Sequence, residues 1–304
     1  MPILNDEGTQ PMRPEPLPPL VSVLIATYNK AVTLRFALES VRWQTFQDFE
    51  VWVIGDCCTD NSAQVVGSFN DPRLHWYNLP KNSGYQSVPH NEGLKRARGK
   101  YIAYLNHDDI WLPDHLQLLV TMLENGEADF AYSLMEWVLP WAPAYADIPI
   151  YPHAARPPEA SVIMHRRSIV DEIGFWKLPH ETDSIPRAEY FRRAQFKDKR
   201  FVLVPALTVL KFASGGAYDQ IGQHEEYAAR VGSDPKFTEK ELAALLVRTT
   251  AELESPIRLN RLADQLANAF RRQLVRYKID PARLSFWKRP GAYIKQWRRE
   301  RRLN

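Results

Sequence analysis

The sequence predicts an α/β fold, a mostly parallel sheet flanked by helices, with a helical extension at its C-terminal end. Two observations carry this. Short apolar runs alternate with stretches of helical period from residue 21 to 138, the pattern of parallel strands joined by crossover helices. After Thr238 the pattern becomes wholly helical. In a sheet of this kind the ligand lies beyond the carboxyl ends of the strands.

The elements follow in order. Residues 1–19 form a proline-rich lead-in. Val21–Ala26 is an apolar run suited to a strand buried on both faces. Val32–Trp43 sets Leu34, Ala37, Leu38 and Val41 at helical spacing. Phe49–Ile54 is the second strand. Asn61–Phe69 is a helix with Asp60 or Thr59 as its N-cap. Leu74–Asn78 is the third strand, and Ser87–Arg98 is a helix ended by Gly99. Tyr101–Leu105, a helix over Pro113–Glu124 and a fifth strand over Phe130–Val138 come next. Pro140–Pro158 is rich in proline and aromatics and reads as a long irregular connection. Residues 160–213 mix strand and helix. Thr238-Glu-Lys-Glu241 is a capping box that opens a helix with Leu242, Leu245 and Leu246 on its apolar stripe. The expected units are the lead-in 1–19, a catalytic body 20–232 and a helical region 233–304.

Composition narrows the function classes. The 304 residues are 45% hydrophobic and 25% charged, which excludes global disorder and a disulfide scaffold. Cys57 and Cys58 are adjacent and have no other partner, so a reducing compartment is expected. Neither a signal-peptide pattern nor an apolar run long enough to span a bilayer is visible. These readings predict a cytoplasmic protein, at most peripheral at the inner face of a membrane. The net charge of +3 argues against nucleic acid as a partner. That total hides an uneven distribution. Seven basic residues and Glu300 give the segment from Lys288 a charge of +6, and the rest of the chain carries −3. Phe286, Trp287, Tyr293, Ile294 and Trp297 interleave with those basic residues. This is a composition suited to the interface of an anionic membrane through 286–304.

The predicted strand ends are polar. Thr27-Tyr28-Asn29-Lys30 follows the first strand. Gly55-Asp56-Cys57-Cys58-Thr59-Asp60 follows the second, and Asn106-His107-Asp108-Asp109 follows the fourth. Asp56, Asp108 and Asp109 would meet at one edge of the sheet, where like charges need a cation or donor groups between them. Hard oxygen ligands suit Mg2+ or Mn2+, and such ions hold phosphate oxygens. No glycine-rich phosphate loop follows the first strand. That argues against dinucleotide oxidoreductases and P-loop enzymes.

Four ordered blocks carry a family resemblance. They are Val21-Ser-Val-Leu-Ile-Ala-Thr-Tyr-Asn29, Glu50 to Ser62, Asn82 to Leu105, and Leu105-Asn-His-Asp-Asp-Ile-Trp111. Together they resemble family 2 glycosyltransferases, inverting enzymes of the GT-A fold, strongly over residues 20–137 and thinly to about 230. The resemblance implies transfer of a sugar from a nucleotide-sugar, most often UDP-linked, to a hydroxyl of a glycan or lipid-linked acceptor. It implies that Thr27, Tyr28 and Asn29 line the base and ribose pocket and that Asp56 accepts from the N3–H of uracil. Lys81, Asn82 and Gly84 would lie against the nucleotide. Asp108 would ligate Mn2+ or Mg2+, and Asp109 would support the ribose or a metal-bound water. Two departures stand out. Asn106 replaces the first acid of the DxD-type block. Cys57 replaces the glycine of the second block, which suggests a slightly different turn.

The family's catalytic base lies in an acid pair before a helix, and here Pro186-Arg187 aligns with that pair. The acids nearby that remain as base are Asp183 and Glu189. A late histidine often completes the metal shell, which points to His224. Lys211 and Arg193 could neutralise a diphosphate. Two rival readings stay open. One is a silent member of the fold that binds nucleotide or glycan, motivated by Arg187. The other is a nucleotidyltransferase, disfavoured by the missing glycine loop.

Overall fold

The computed structural model describes residues 17–126, 128–138, 145–147, 158–182, 185–212 and 221–253, with 145–147 and 246–253 described by their backbone alone. The first half winds as the sequence predicts. Strands β1 (Val21–Thr27), β2 (Phe49–Gly55), β3 (Leu74–Asn78) and β4 (Tyr101–Tyr104) alternate with helices α1 (Ala31–Arg42), α2 (Ser62–Ser68) and α3 (Ser87–Arg96). All four strands are parallel, in the order β3-β2-β1-β4. Val21, Val23, Leu24 and Ile25 are sealed although they alternate sides, so both faces of β1 are covered.

Winding outward from β1 to β3 and then returning to β4 on the other flank reverses the strand order between β1 and β4. In sheets wound this way, ligands bind beyond the carboxyl ends at such a reversal. At the opposite end Gly99 packs on β1, where a Cβ would lie 2.5 Å from the Ser22 main-chain nitrogen. Close packing therefore sets this glycine. The helix before it already ends at Arg96, so Gly99 is not the predicted helix cap.

Beyond β4 the sheet becomes mixed. β5 (Asp109–Trp111), α4 (His115–Glu124), β6 (Phe130–Val138), β7 (Tyr145–Asp147) and β8 (Ile163–Arg166) follow in the chain. Next come α5 (Ile169–Ile173), α6 (Pro186–Phe196), β9 (Phe201–Phe212), α7 (Ile221–Ser233) and α8 (Phe237–Leu253). The sheet order continues β4-β8-β6-β9-β5, with β7 on β6. The pairs β4–β8, β6–β8 and β5–β9 are antiparallel, and β6–β9 is parallel.

Two apolar clusters fill the fold. The larger lies around β1, β4, β6 and β8. The second gathers Phe36, Ile110, Phe212, Tyr227, Phe237 and Leu245, so α7 and the start of α8 share one core with β9. The expected capping box at Thr238 does not form the helix start. α8 begins at Phe237, and Glu241 instead accepts from Arg230 at 2.7 Å.

Candidate active site

The end of β2 builds one side of the candidate site. Asp56 is buried at the strand terminus, and its carboxylate accepts from the main-chain N–H of Ser83 (2.9 Å) and of Gly84 (3.0 Å). It caps no helix. Each oxygen holds one N–H and keeps a lone pair for a further donor. Asn82 closes the same loop by donating Nδ2 to the Asp56 carbonyl at 2.9 Å, and Lys81 beside it is exposed. Gly84 holds φ 71°, a left-handed conformation that a side chain would strain.

The turn after Asp56 passes through Cys57. Cys57 adopts φ 62°, a left-handed conformation that a non-glycine residue bears under strain. Cys58 ties the turn to β1 by donating its thiol to the Thr27 carbonyl at 3.5 Å, and it accepts from the Asn29 N–H at 3.4 Å. Burial raises the Cys58 thiol above the usual range, more than its hydrogen bonds lower it.

Asn29 is a loop fastener in this arrangement: its Oδ1 accepts from Thr59 N–H (2.8 Å) and Asp60 N–H (3.3 Å). Thr27 is buried, and its hydroxyl has no partner among the described residues. Tyr28 is 47% exposed, so of the three predicted pocket residues it is the one with a face open to a base. Asp60 accepts from the N–H of Ala31 (2.9 Å) and of Ser62 (3.0 Å), at the starts of α1 and α2.

The end of β4 builds the anionic side. Asp109 reads as a loop residue in the sequence, yet it begins β5, a three-residue strand paired antiparallel to β9. The register sets Asp109 directly opposite Lys211, whose Nζ lies 3.2 Å from Oδ1. Asn106 donates Nδ2 to Asp109 Oδ2 at 2.8 Å, and the Ser161 hydroxyl donates to the same oxygen. Asn106 and Asp109 are therefore joined to each other, and Asp109 is fully buried. Lys211 is committed to this pair, and its ammonium also lies 5.3 Å from the Trp137 ring centre.

His224 reaches the same place from α7. Its Nε2 bonds the main-chain oxygen of Asp108 at 2.9 Å, and its ring stacks on Phe212 at 3.8 Å. His107 similarly holds the Ala26 carbonyl at 3.0 Å. The structure thus brings Asp56, Asn106, Asp108, Asp109 and His224 to the carboxyl edge of β1, β2 and β4.

One carboxylate of this region escaped the sequence reading. Glu159 precedes a 3-10 turn (Ala160–Val162) whose Ser161 touches both Asn106 and Asp109. It forms an ion pair with Arg187 at the start of α6. The only signal in the sequence was an acid closing the proline-rich segment. Burial pushes the Glu159 carboxyl up, but the charge and hydrogen bond of Arg187, with Lys211 behind, outweigh it and leave the group below the usual glutamate value.

The two base candidates fare differently. Asp183 lies outside the described residues. Glu189 is buried on α6, with Arg193 at 2.8 Å and Lys177 at 3.4 Å. Arg193 also donates to the carbonyls of Ile173 and Phe175, so it ties a loop down; the suggestion that it neutralises a diphosphate is not met. The basic segment 286–304 is likewise outside the described residues.

The donor set fits a divalent cation. Among the described residues, Asp109, Asp108 and Glu159 all act on the ammonium of Lys211. The coupling is visible in both buried partners. Burial and Asp108 raise Asp109, only partly offset by Lys211. Burial would lower Lys211, but Asp109, Asp108 and Glu159 outweigh it and hold the ammonium above its usual value. Among the described residues no three of His, Cys, Asp and Glu are preassembled as a cage. An ion here would take hard oxygen from Asp108 and the rest of its shell from a ligand, as Mg2+ and Mn2+ do with phosphates.

Residues 22–136 match the family described as glycosyl transferase family 2. WfgD of Escherichia coli, a UDP-Glc:alpha-D-GlcNAc-diphosphoundecaprenol beta-1,3-glucosyltransferase, is 32% identical over 117 residues, covering 38% of this chain and 46% of that protein. The succinoglycan biosynthesis protein ExoO of Rhizobium meliloti is 33% identical over 120 residues, covering 40% of this chain and 34% of that protein. The match thus spans less than half the length of these relatives. Among solved structures, S. aureus TarS in complex with UDP-GlcNAc superposes with a TM-score of 0.56 at 18% identity, covering 82% of this chain and 79% of that one. The mannosyltransferase PcManGT from Pyrobaculum calidifontis, in complex with GDP-Man and Mn2+, gives 0.53 at 15% identity over 84% and 87%. At these identities the likeness establishes the shared fold.

Proposed function

We propose that this chain, which matches glycosyl transferase family 2 over residues 22–136 and shares the fold of solved GT-A enzymes, moves a sugar from a nucleotide-sugar to an acceptor hydroxyl. The observation that carries this is the convergence of Asp56, Asn106, Asp108 and Asp109 on one sheet edge, at the reversal of strand order. Asp56, with both oxygens oriented by main-chain N–H groups, accepts from the N–H of a uracil ring, and exposed Tyr28 offers a stacking face. Lys81, Asn82 and Gly84 flank the nucleotide. Asn106 faces the ribose, held in place by the buried Asp109. Asp108 holds Mn2+ or Mg2+, and His224 either completes that shell or fixes the Asp108 main chain. When bound, the cation supplies positive charge against the departing diphosphate.

Transfer with inversion requires a carboxylate to take the acceptor proton. Asp183 and Glu189 are the candidates that the resemblance supplies. A hydroxyl on a glycan or lipid-linked acceptor suits the chain, because one relative acts on a diphosphoundecaprenol-linked sugar. No helix among the described residues is long and apolar enough to cross a membrane. Contact with a lipid-linked acceptor then falls to the basic, aromatic segment 286–304, docked on the inner face.

The test is thermal shift with UDP, GDP and their sugars, with Mn2+, Mg2+ or EDTA. UDP at ~100 times its Kd should stabilise the fold by about 2.7 kcal/mol, and EDTA should remove the effect. A nucleotide panel that gives no metal-dependent shift would sink the transferase reading. For the membrane contact, a chain ending before Phe286 should lose sedimentation with phosphatidylglycerol vesicles. Equal binding by both lengths would refute docking.

A further inference from the structure

Arg187 stands where the family places its proton acceptor, and an arginine cannot fill that role. It is not a solvated substitute: its side chain is only 11% exposed and its Nη1 donates to Glu159 Oε2. Its Nε is buried with no partner among the described residues. The second residue of α6 is therefore spent on aiming one carboxylate.

That carboxylate is well placed. Glu159 hangs from the turn whose Ser161 donates to Asp109 and accepts from the Asn106 N–H at 3.0 Å. Trp111 pins the same turn by donating Nε1 to the Ser161 carbonyl at 2.7 Å. Glu159 thus shares a rigid wall with the residues proposed to hold the donor. It feels the charges of Asp108 and Lys211. Its side chain keeps 23% exposure, against 6% for Glu189 and none for Asp109, so an acceptor hydroxyl can reach it. Only its Oε2 is engaged among the described hydrogen bonds.

We infer that Glu159 is the catalytic carboxylate that accepts the acceptor proton, and that Arg187 is its positioning residue. Resting on the transferase reading, this moves the acid from the helix to the facing turn and leaves a cation in its former place. In the step, the acceptor O–H proton passes to Glu159 while the acceptor oxygen bonds the anomeric carbon. The bond from that carbon to the diphosphate oxygen breaks on the opposite face, and its electron pair leaves with the nucleotide diphosphate. Glu159 then returns the proton to solvent.

The experiment measures UDP binding by calorimetry with Mn2+, and UDP release from UDP-glucose, UDP-galactose and UDP-GlcNAc. Glu159→Gln should bind UDP within about twofold of the wild type, yet release it ~100-fold more slowly with donor KM unchanged. Formate should restore part of the release in Glu159→Ala. Arg187→Ala should lower kcat without moving donor KM, and Arg187→Lys should recover most of the loss. Release by Glu159→Gln within about threefold of the wild type would overturn the inference. So would parallel loss of UDP binding, which would make Glu159 part of the donor site or the scaffold. Loss of release in Asp183→Asn but not in Glu159→Gln would hand the role to Asp183. A wild type that releases UDP from no donor removes the transferase reading itself, and this inference with it.

Discussion

Strand β2 carries an acid at each end, and the two are satisfied in opposite ways. At the amino end Glu50 is buried and consumed by side chains. Ser22 donates to it at 2.7 Å, and Arg98 reaches it through its main-chain N–H (2.8 Å), Nε (3.1 Å) and Nη2 (3.0 Å). At the carboxyl end Asp56 is held by two main-chain N–H groups and meets no cation among the described residues. The first arrangement neutralises its charge and closes the sheet. The second fixes the position of a carboxylate while leaving its charge and lone pairs for a ligand.

Substitutions at the two ends should therefore separate stability from function. The largest effect is expected where the carboxyl end is itself buried. Lys211→Met strands Asp109 and should cost about 3–5 kcal/mol in urea unfolding. Adding Asp109→Asn should recover part of that, and an undiminished midpoint in the single variant would mean the pair is not sealed. Next is Asp108→Asn, for which UDP release should fall by at least ~100-fold, about 2.7 kcal/mol, with the melting temperature unmoved. A matching loss of stability would make Asp108 part of the scaffold. Glu50→Gln should show the reverse, a cost of about 2 kcal/mol with wild-type UDP affinity and turnover. Impaired turnover there would erase the distinction between the two ends. The smallest is Cys57→Gly, which should stabilise the chain by about 1 kcal/mol by relieving a left-handed non-glycine residue. A loss of stability would show that the Cys57 side chain contributes packing that outweighs its strain.

Much of the first half was legible because its signals are local. β1 to β4 and their helices follow from apolar runs and helical spacing, and their ends lie within a residue or two of expectation. Asp56, Asn106 and Asp108 were found because parallel winding carries successive strand ends to one edge. The second half was less legible because its pairings are long-range. Nothing local marks Asp109–Trp111 as a strand, since three residues become β5 only by lying on β9. Lys211 looked available to a diphosphate and is instead the cross-strand partner of Asp109. Asn29 was read as a pocket residue, and its amide also fastens one loop to the next, a role that no local signal announces.

The sequence by itself determined the α/β class, the edge where polar groups gather and the family resemblance, because each depends on periodicity or on short ordered blocks. Only the tertiary structure decided which acids are consumed and which remain open. Glu50, Asp56, Asp109, Glu159 and Glu189 are all acidic letters in the chain. What separates them is whether their neighbours are cations, main-chain N–H groups or water. For four of them a deciding neighbour lies 28 to 102 positions away: Ser22 beside Glu50, Gly84 beside Asp56, Arg187 beside Glu159 and Lys211 beside Asp109; Glu189 differs in being held by Arg193 on its own helix. Burial and charge pairing are properties of that convergence, and no window of sequence contains them.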